Sequence, residues 1–281
     1  MNRNQVLKQR TITGIVFGLV VIALLLSGKP GSMVLAGIMS MMCTYEYMRM
    51  VFPKVKKKLR LSILSNAVII FLIVSSMPPS SIGYKALVIL SCLAMIAGII
   101  NLFFEYINHK RTYWLVSVLY FALPVGLFMT NVYHDQNFSG FFWLGVLIMI
   151  WLSDSLAYLV GSRIGKTKLL ERISPKKTWE GFLGAITTLP IAYFIGIYFN
   201  AFSAGLDLQY LNIGIFWVII AAFAWIIGTL GDLVESSIKR KFEVKDSGNL
   251  LPGHGGILDR FDSFIYILPF VLFLLLFISK P

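Results

Sequence analysis

Charged residues are scarce in this chain of 281 residues. They make up 14% of the sequence, whereas hydrophobic residues make up 57% and the mean hydropathy is +0.79. A soluble globular domain carries about 25% charged residues. This much apolar sequence exceeds what a single water-soluble core can bury. The scarcity of charge therefore excludes an ordinary soluble domain and predicts a protein that is embedded in lipid.

Cysteine and histidine are also rare. The two cysteines, Cys43 and Cys92, both lie inside apolar segments, which argues against a disulfide framework or a thiolate metal site. His109, His134 and His254 are scattered along the chain, which argues against a zinc site built from histidines. A metal ion bound by this protein would have to use oxygen ligands.

Apolar stretches recur along the whole chain and set its organisation. A helix needs roughly 17–25 residues to cross the hydrocarbon core of a membrane, and several stretches are at the short end of that range. One of them could be re-entrant. We predict an all-α, polytopic integral membrane protein with about nine transmembrane helices: about five in residues 1–130 and about four in a catalytic region, residues 131–281. The predicted spans are 12–26, 33–48, 61–77, 86–104, 113–130, 141–160, 182–199, 213–231 and 263–278.

Lysine and arginine are distributed unevenly between the two predicted sides of the membrane. The N-terminus and alternate loops hold 22 of the 25 basic residues. The positive-inside rule then places the N-terminus and the loops 161–181 and 232–262 in the cytoplasm. We expect a multi-pass protein of the cell membrane, either a plasma or an inner membrane. The net charge of +12 follows from this topology and calls for no nucleic-acid partner.

Acidic residues are concentrated in the second half of the chain. Nine of the 13 lie in two segments, 154–180 and 232–262, where they alternate with lysine and arginine. Glu46 and Glu105, by contrast, lie near helix ends, where a carboxylate can reach the interface at little cost. Dense charge of both signs at one membrane face predicts a polar active site on the cytoplasmic side.

The segment from Gly231 to Asp262 carries most of these charges. If the eighth helix continues beyond Asp232, then Ser236 and Lys239 lie on the same helix face as Asp232. A glycine-rich turn follows, and such turns expose backbone N–H groups as phosphate-binding loops do. Carboxylates without cysteine or clustered histidine suit hard cations such as Mg²⁺. The pattern is typical of phosphoryl or nucleotidyl transfer, although ion pairs on a solvated loop would explain any one of these residues equally well.

The same segment resembles the signature of the phosphatidate cytidylyltransferases. The shared pattern is a serine, Lys-Arg, Lys-Asp, a small residue, Pro-x-His-Gly-Gly and Asp-Arg-x-Asp, and it occupies residues 237–262. Residues 153–158 and 174–181 resemble a second motif region of that family. The resemblance covers about 110 residues, and a pattern with so many fixed polar positions is specific.

This resemblance implies a reaction, cofactors and partners. Members of the family join CTP and phosphatidic acid to give CDP-diacylglycerol and pyrophosphate with Mg²⁺, inside a lipid membrane. It implies Asp232 and Asp259 as metal ligands, a monovalent cation such as K⁺ nearby, and a homodimer.

Further residues in both motif regions are candidates for the site. We expect Asp154, Asp246 and Asp262 to be additional ligands or to support the ligands. We expect His254 either to donate a hydrogen bond to phosphate or to order its turn. The phosphate-binding candidates are Lys176, Lys177, Lys239, Arg240, Lys245 and Arg260, together with Gly253, Gly255 and Gly256 of the turn.

Two other functions fit parts of the pattern. A CTP-dependent polyprenol-type lipid kinase would use the same nucleotide in the same membrane setting. A cation-coupled transporter would explain a carboxylate such as Asp154 inside an apolar span. The crowding of charge at one membrane face favours the transferase over the transporter.

Overall fold

The computed structural model describes residues 3–53, 57–104, 115–135, 138–198, 202 and 211–278. The chain is 81% helical, which confirms the predicted all-α class. Within the described residues we number nine helices and two short strands. They are α1 Arg3–Leu26, α2 Lys29–Val51, α3 Lys57–Ser75, α4 Ile82–Phe104, α5 Leu115–His134, α6 Gly140–Ile164, β1 Lys168–Leu170, β2 Ser174–Thr178, α7 Trp179–Tyr198, α8 Ile213–Lys241 and α9 Leu258–Ile278.

Six of the described helices, α4 to α9, are long and apolar enough to cross a membrane. The apolar part of α1, Thr11–Leu26, is shorter, and α2 and α3 fall outside this criterion of length and composition. The chain is therefore a multi-pass membrane protein. Each of the nine predicted spans overlaps a helix, but the count of nine membrane crossings is not confirmed.

Helix α9 lies at the centre of the bundle. It contacts α2, α4, α5, α6 and α8, and residues 263–269 are buried without interruption. A helix that is apolar on all sides is buried on all sides, because every face must find an apolar neighbour. Phe264 illustrates this packing, with its ring centroid 6.1 Å from that of Phe128 and 6.3 Å from that of Trp143. Because α9 is central, its N-terminal end lies among the polar ends of the neighbouring helices.

A β-hairpin occupies part of the predicted cytoplasmic loop 161–181. Helix α6 continues to Ile164, and β1 then pairs with β2 in an antiparallel register that places Lys168 opposite Thr178. The hydroxyl of Thr178 accepts a hydrogen bond from Gly181 N at 3.2 Å and so caps the start of α7. The hairpin was not predicted, because its strands are short and lack an alternating apolar pattern.

The second predicted loop, 232–262, is also shorter than expected. Helix α8 continues to Lys241 and α9 begins at Leu258, so the irregular segment spans residues 242–257. The apolar span ends near residue 231, but the polar turns that follow find partners within the protein and therefore stay helical. Asp232 and Asp262 consequently lie on two helices and not on a loop.

Candidate active site

Three carboxylates converge where α8 passes α9. One oxygen each from Asp232, Glu235 and Asp262 lies within 4.8 Å of the others. Gly231 makes this approach possible, because a Cβ atom there would lie 2.6 Å from Cγ of Tyr266 on α9. We call these three side chains the acidic cluster. The sequence predicted two of its members and missed Glu235.

Lys177, on β2, neutralises one side of the acidic cluster. Its Nζ lies 2.6 Å from Asp232 Oδ2 and donates a hydrogen bond to Thr229 O at 3.3 Å. The hydroxyl of Ser236 donates to Asp232 Oδ1 at 3.3 Å, as expected for two residues on one helix face. Asp154, exposed on α6, lies close enough to Lys177 and Asp232 to interact with them electrostatically. The hairpin thus brings the second motif region to the first.

Lys239 joins the acidic cluster to the start of α9. Its buried Nζ forms ion pairs with Glu235, one turn earlier on α8, and with Asp259 Oδ1 at 2.7 Å. A buried ammonium needs such carboxylate partners, because desolvation of an unpaired charge would be very costly. Lys239 is therefore held between two carboxylates, although sequence reasoning had expected it to face phosphate.

Asp259 organises the glycine-rich turn. Its Oδ2 accepts hydrogen bonds from Ser247 N at 2.9 Å, Ser247 Oγ at 2.9 Å and Gly256 N at 2.7 Å. Gly255 has a φ of 85°, a left-handed conformation that favours glycine, and a Cβ atom there would lie 2.6 Å from Asp259 Oδ2. The N–H of Gly256 therefore points at a carboxylate of the protein itself, and the turn is folded around Asp259.

Glu46 of α2 supports the same turn from the other side. Its Oε2 accepts from Leu258 N at 2.9 Å and lies 3.0 Å from Ser247 Oγ, whose single proton it shares with Asp259 Oδ2. Its Oε1 accepts from Ile257 N at 3.1 Å. The side chain is buried, with 5% of the residue exposed. Our expectation that Glu46 reaches the interface was wrong, because its carboxylate is buried at the start of α9 and is stabilised there by backbone donors.

The remaining predicted residues lie around this network. Arg260 donates to His254 O through Nε at 3.2 Å and Nη2 at 2.8 Å, and His254 N donates to Leu251 O at 2.9 Å. A Cβ atom at Gly14 of α1 would lie 3.0 Å from His254 Nε2, so glycine lets α1 approach the turn. The structure places the other candidates at the surface: Lys176, Arg240, Lys245, Asp246 and Gly253 are all exposed.

The acidic cluster fits a hard divalent cation. Its donors are all carboxylate oxygens, which Mg²⁺ prefers. Glu235 Oε1 is buried and accepts no hydrogen bond from any described residue, so it has coordination capacity that the protein itself does not use. Asp259, by contrast, has both oxygens engaged by donors of the protein. Both oxygens of Asp232 are likewise engaged, by Lys177 and Ser236, so the unused oxygen of Glu235 is the feature that distinguishes the acidic cluster from Asp259.

Both residues that sequence reasoning missed carried a local signal. Glu235 lies three residues after Asp232 and four before Lys239, the spacings at which helical side chains meet. Glu46 follows a long apolar stretch, where a carboxylate is costly unless it finds a partner. The first signal was readable from the chain, whereas the partners of Glu46 lie more than 200 residues away.

Known proteins resemble this chain over nearly its whole length. Residues 8–278 match the model of the cytidylyltransferase family. The phosphatidate cytidylyltransferase of Bacillus subtilis (strain 168) is 35% identical over 280 residues, which cover 97% of this chain and 99% of that protein. The protein of that name from Staphylococcus haemolyticus (strain JCSC1435) is 33% identical, and the match covers 96% of this chain and 99% of the relative.

The matched region includes both the helical bundle and the polar network. It contains α2, which supplies Glu46, the hairpin, which supplies Lys177, and the helices α8 and α9, which supply the acidic cluster. The resemblance found in two motifs thus extends over the entire fold. The chain belongs to the cytidylyltransferase family.

Proposed function

We propose that this chain transfers the cytidylyl group of CTP to phosphatidic acid and releases CDP-diacylglycerol and pyrophosphate. The observation that carries the proposal is the polar network that joins the two motif regions: Lys177 pairs with Asp232, and Lys239 pairs with Glu235 and Asp259. Family membership and the names of the relatives support the same activity. A membrane setting suits a lipid substrate.

Catalysis of this reaction depends more on neutralising the negative charge of the phosphates than on transferring a proton. A phosphate oxygen of phosphatidic acid forms a bond to the α-phosphorus of CTP, and the bond between this phosphorus and the bridging oxygen to the β-phosphate breaks. Pyrophosphate leaves with that bonding pair. The second pKa of a phosphate monoester is about 6, so the nucleophile is ionised near neutral pH without a general base. The site must therefore hold several anions in line.

The charge of the site calls for a cation. Four carboxylates, Asp232, Glu235, Asp259 and Asp262, face only two ammonium groups in the network. The ionised site is negative overall and would repel CTP and phosphatidic acid. A bound Mg²⁺ would reverse this repulsion and stabilise the charge that develops on the phosphates. We propose that the acidic cluster holds Mg²⁺.

The protein side chains position these charges. Lys177 is oriented by Thr229 O and Asp232, at the edge of the network, where its ammonium can also contact a phosphate oxygen. Lys239 keeps Glu235 and Asp259 together. Asp259 stays a predicted metal ligand, which would require Lys239 to leave Oδ1. K⁺ binding and the homodimer likewise stay predictions.

The reaction class can be tested with CTP that is labelled at individual phosphates. We expect the purified protein, given phosphatidic acid and Mg²⁺, to place the α-phosphate of CTP in a lipid product. The β- and γ-phosphates should leave together as pyrophosphate. Thin-layer separation of the lipids and an assay for pyrophosphate measure both outcomes.

The same experiment separates the alternatives. A γ-phosphate found on a lipid, with CDP released, would establish a CTP-dependent kinase and contradict the proposed transfer. A transporter would consume no CTP, and the ion flux that it carries would not depend on CTP. A reaction without phosphatidic acid serves as the control and should leave CTP intact.

We further propose that the network faces the cytoplasm at the plasma membrane, because the basic residues cluster at that face and the relatives are bacterial. In a background without Cys43 and Cys92, a cysteine at Leu211 should react with an impermeant maleimide in intact cells. A cysteine at Asn249 should react only after the membrane is opened. Labelling of Asn249→Cys from outside, with Leu211→Cys protected, would reverse the orientation.

A further inference from the structure

The acidic cluster depends on a close approach between α8 and α9. Asp232 and Glu235 belong to α8, whereas Asp262 belongs to α9, and one oxygen of each lies within 4.8 Å of the others. Lys177 and Lys239 pair with the two carboxylates of α8, but Asp262 forms no ion pair with any described residue. Ionised carboxylates at this distance repel one another. Packing between the two helices, and not ion pairing, therefore keeps Asp262 beside the other two carboxylates.

Tyr266 makes the contact between these helices that is next to the acidic cluster. It follows Asp262 by four residues, so both side chains lie on one face of α9. Gly231 directly precedes Asp232 on α8, and a Cβ atom there would lie 2.5 Å from Cβ and 2.6 Å from Cγ of Tyr266. Both Gly231 and Tyr266 are buried. The backbone of α8 thus packs directly against the side chain of Tyr266, one residue before Asp232.

The other end of Tyr266 is fixed on a third helix. Its hydroxyl donates a hydrogen bond to Met95 O of α4 at 3.0 Å. Gly98 of the same helix leaves room for two hydroxyl groups, since a Cβ atom there would lie 2.3 Å from Tyr266 Oη and 2.1 Å from Tyr120 Oη. The ring of Tyr120 lies edge-on to that of Tyr266, with their centroids 5.8 Å apart. Tyr266 therefore spans the distance from α4 to α8 and acts as a spacer between them.

The space around Tyr266 is continuous with the acidic cluster. Tyr266, Glu235 and Asp262 line one cavity, together with Tyr47 of α2 and Tyr120 of α5. A shorter side chain at position 266 would enlarge this cavity, and helices relax into such a space only in part. The relative positions of the two carboxylates therefore depend on the volume of this one aromatic side chain.

We propose that Tyr266 is a positioning residue of the acidic cluster. Its side chain sets the separation of α8 and α9 at which Asp262 can share one cation with Asp232 and Glu235. The inference rests on the proposed binding of Mg²⁺ by the acidic cluster. Mg²⁺ demands a near-ideal octahedral geometry, so a change in the separation of its carboxylate ligands lowers its affinity. Tyr266 acts through these carboxylates and needs no contact with the cation.

Metal binding can be measured without CTP or phosphatidic acid. The full chain is placed in phosphatidylcholine nanodiscs, and binding of Mn²⁺, a spectroscopic substitute for Mg²⁺, is measured by electron paramagnetic resonance. Gly231→Ala forces α8 away from Tyr266, and Tyr266→Ala removes the spacer. We expect each to weaken Mn²⁺ binding about tenfold, because changes in residues that support metal ligands cost about 10–100-fold in metal affinity. Glu235→Gln should remove most of the binding, which assigns the ion to the acidic cluster.

Two other glycines provide matched controls. Gly228→Ala makes the same change earlier on α8, where a Cβ atom would lie 3.7 Å from Cβ of Ser263, an ordinary contact, so it should bind Mn²⁺ as the wild type does. A Cβ atom at Gly145 would lie 2.4 Å from Cη2 of Trp217, which is about 21 Å from Gly231 along α8 at ~1.5 Å per residue. Gly145→Ala should therefore lower the thermal stability and leave the Mn²⁺ affinity unchanged.

A conservative variant separates the ring from the hydroxyl. Tyr266→Phe keeps the ring against Gly231 and loses only the hydrogen bond to Met95 O. It should retain most of the Mn²⁺ affinity that Tyr266→Ala loses. A side chain that only stabilised the fold would lower the unfolding temperature in both variants and leave the Mn²⁺ affinity of the folded protein unchanged.

The outcomes distinguish this inference from the proposals on which it rests. Folded Gly231→Ala and Tyr266→Ala proteins that bind Mn²⁺ like Gly145→Ala would overturn it, and if one of the two fails to fold, the other decides. A wild-type protein that binds no Mn²⁺ would contradict the proposed metal site and this inference with it. No arm requires the protein to form CDP-diacylglycerol, so a failure of the proposed reaction is detected separately with labelled CTP.

Discussion

Asp232→Asn is expected to reduce cytidylyl transfer on the order of 10³-fold while the protein still folds and inserts. Asp232 belongs to the acidic cluster and pairs with Lys177 at 2.6 Å, so the change removes a proposed metal ligand and releases the lysine. Loss of one strong electrostatic contact at a reacting centre costs about 10²–10³ in rate. Initial rates measured across a Mg²⁺ titration test this expectation.

The matched control is Asp207→Asn, which makes the same chemical change. Asp207 lies outside the described residues, in a segment predicted to be external, and we expect its replacement to leave the rate unchanged. Thermal unfolding in detergent should show that both variants are folded. Near-normal turnover of Asp232→Asn at limiting Mg²⁺ would remove Asp232 from the proposed ligands.

Glu46→Ala is expected to reduce both stability and activity, although Glu46 touches neither Lys177 nor Lys239. The change leaves Ile257 N and Leu258 N without their side-chain acceptor and removes one of the two carboxylates that Ser247 Oγ contacts. A buried donor without a partner costs about 1–3 kcal/mol. Because Ser247 also donates to Asp259, we expect the glycine-rich turn to loosen and kcat to fall on the order of 10²-fold.

Two variants separate positioning from a general loss of stability. Ser40→Ala removes a buried hydroxyl on the same helix that has no hydrogen-bond partner among the described residues, so it should change little. Glu46→Gln keeps the shape and one acceptor oxygen and should lower kcat less than Glu46→Ala, with KM for CTP nearly unchanged. Equal activity of Glu46→Ala and Ser40→Ala would show that α2 does not position the turn.

The positions of the charged residues on α8 show how far sequence reasoning extends. Helical periodicity correctly placed Ser236 beside Asp232, because the contact depends only on local geometry. The same periodicity could not tell that Lys239 would bind Asp259, which belongs to the next helix. The pairing depends on the angle and distance at which α8 crosses α9.

The hairpin between α6 and α7 gives a second example. Its polar residues predicted a cytoplasmic loop, and they contain no pattern that distinguishes a loop from a strand pair. Pairing of β1 with β2 holds Lys177 at Asp232, and Arg240 anchors the turn through Ile173 O. The role of Lys177 therefore depends on a local fold that composition does not reveal.

The amino-acid sequence by itself determined that this is a helical membrane protein with its charge concentrated in two motif regions. The hydrophobicity and charge of a segment are properties of its own residues. Membrane spans, glycine-rich turns and signature residues can therefore be recognised from the sequence without knowledge of the rest of the fold. Only the tertiary structure decided that Glu46 caps the start of α9 and that Glu235 joins Asp232 and Asp262. These features arise between segments as distant as 212 residues, and their geometry depends on how the helices pack against each other.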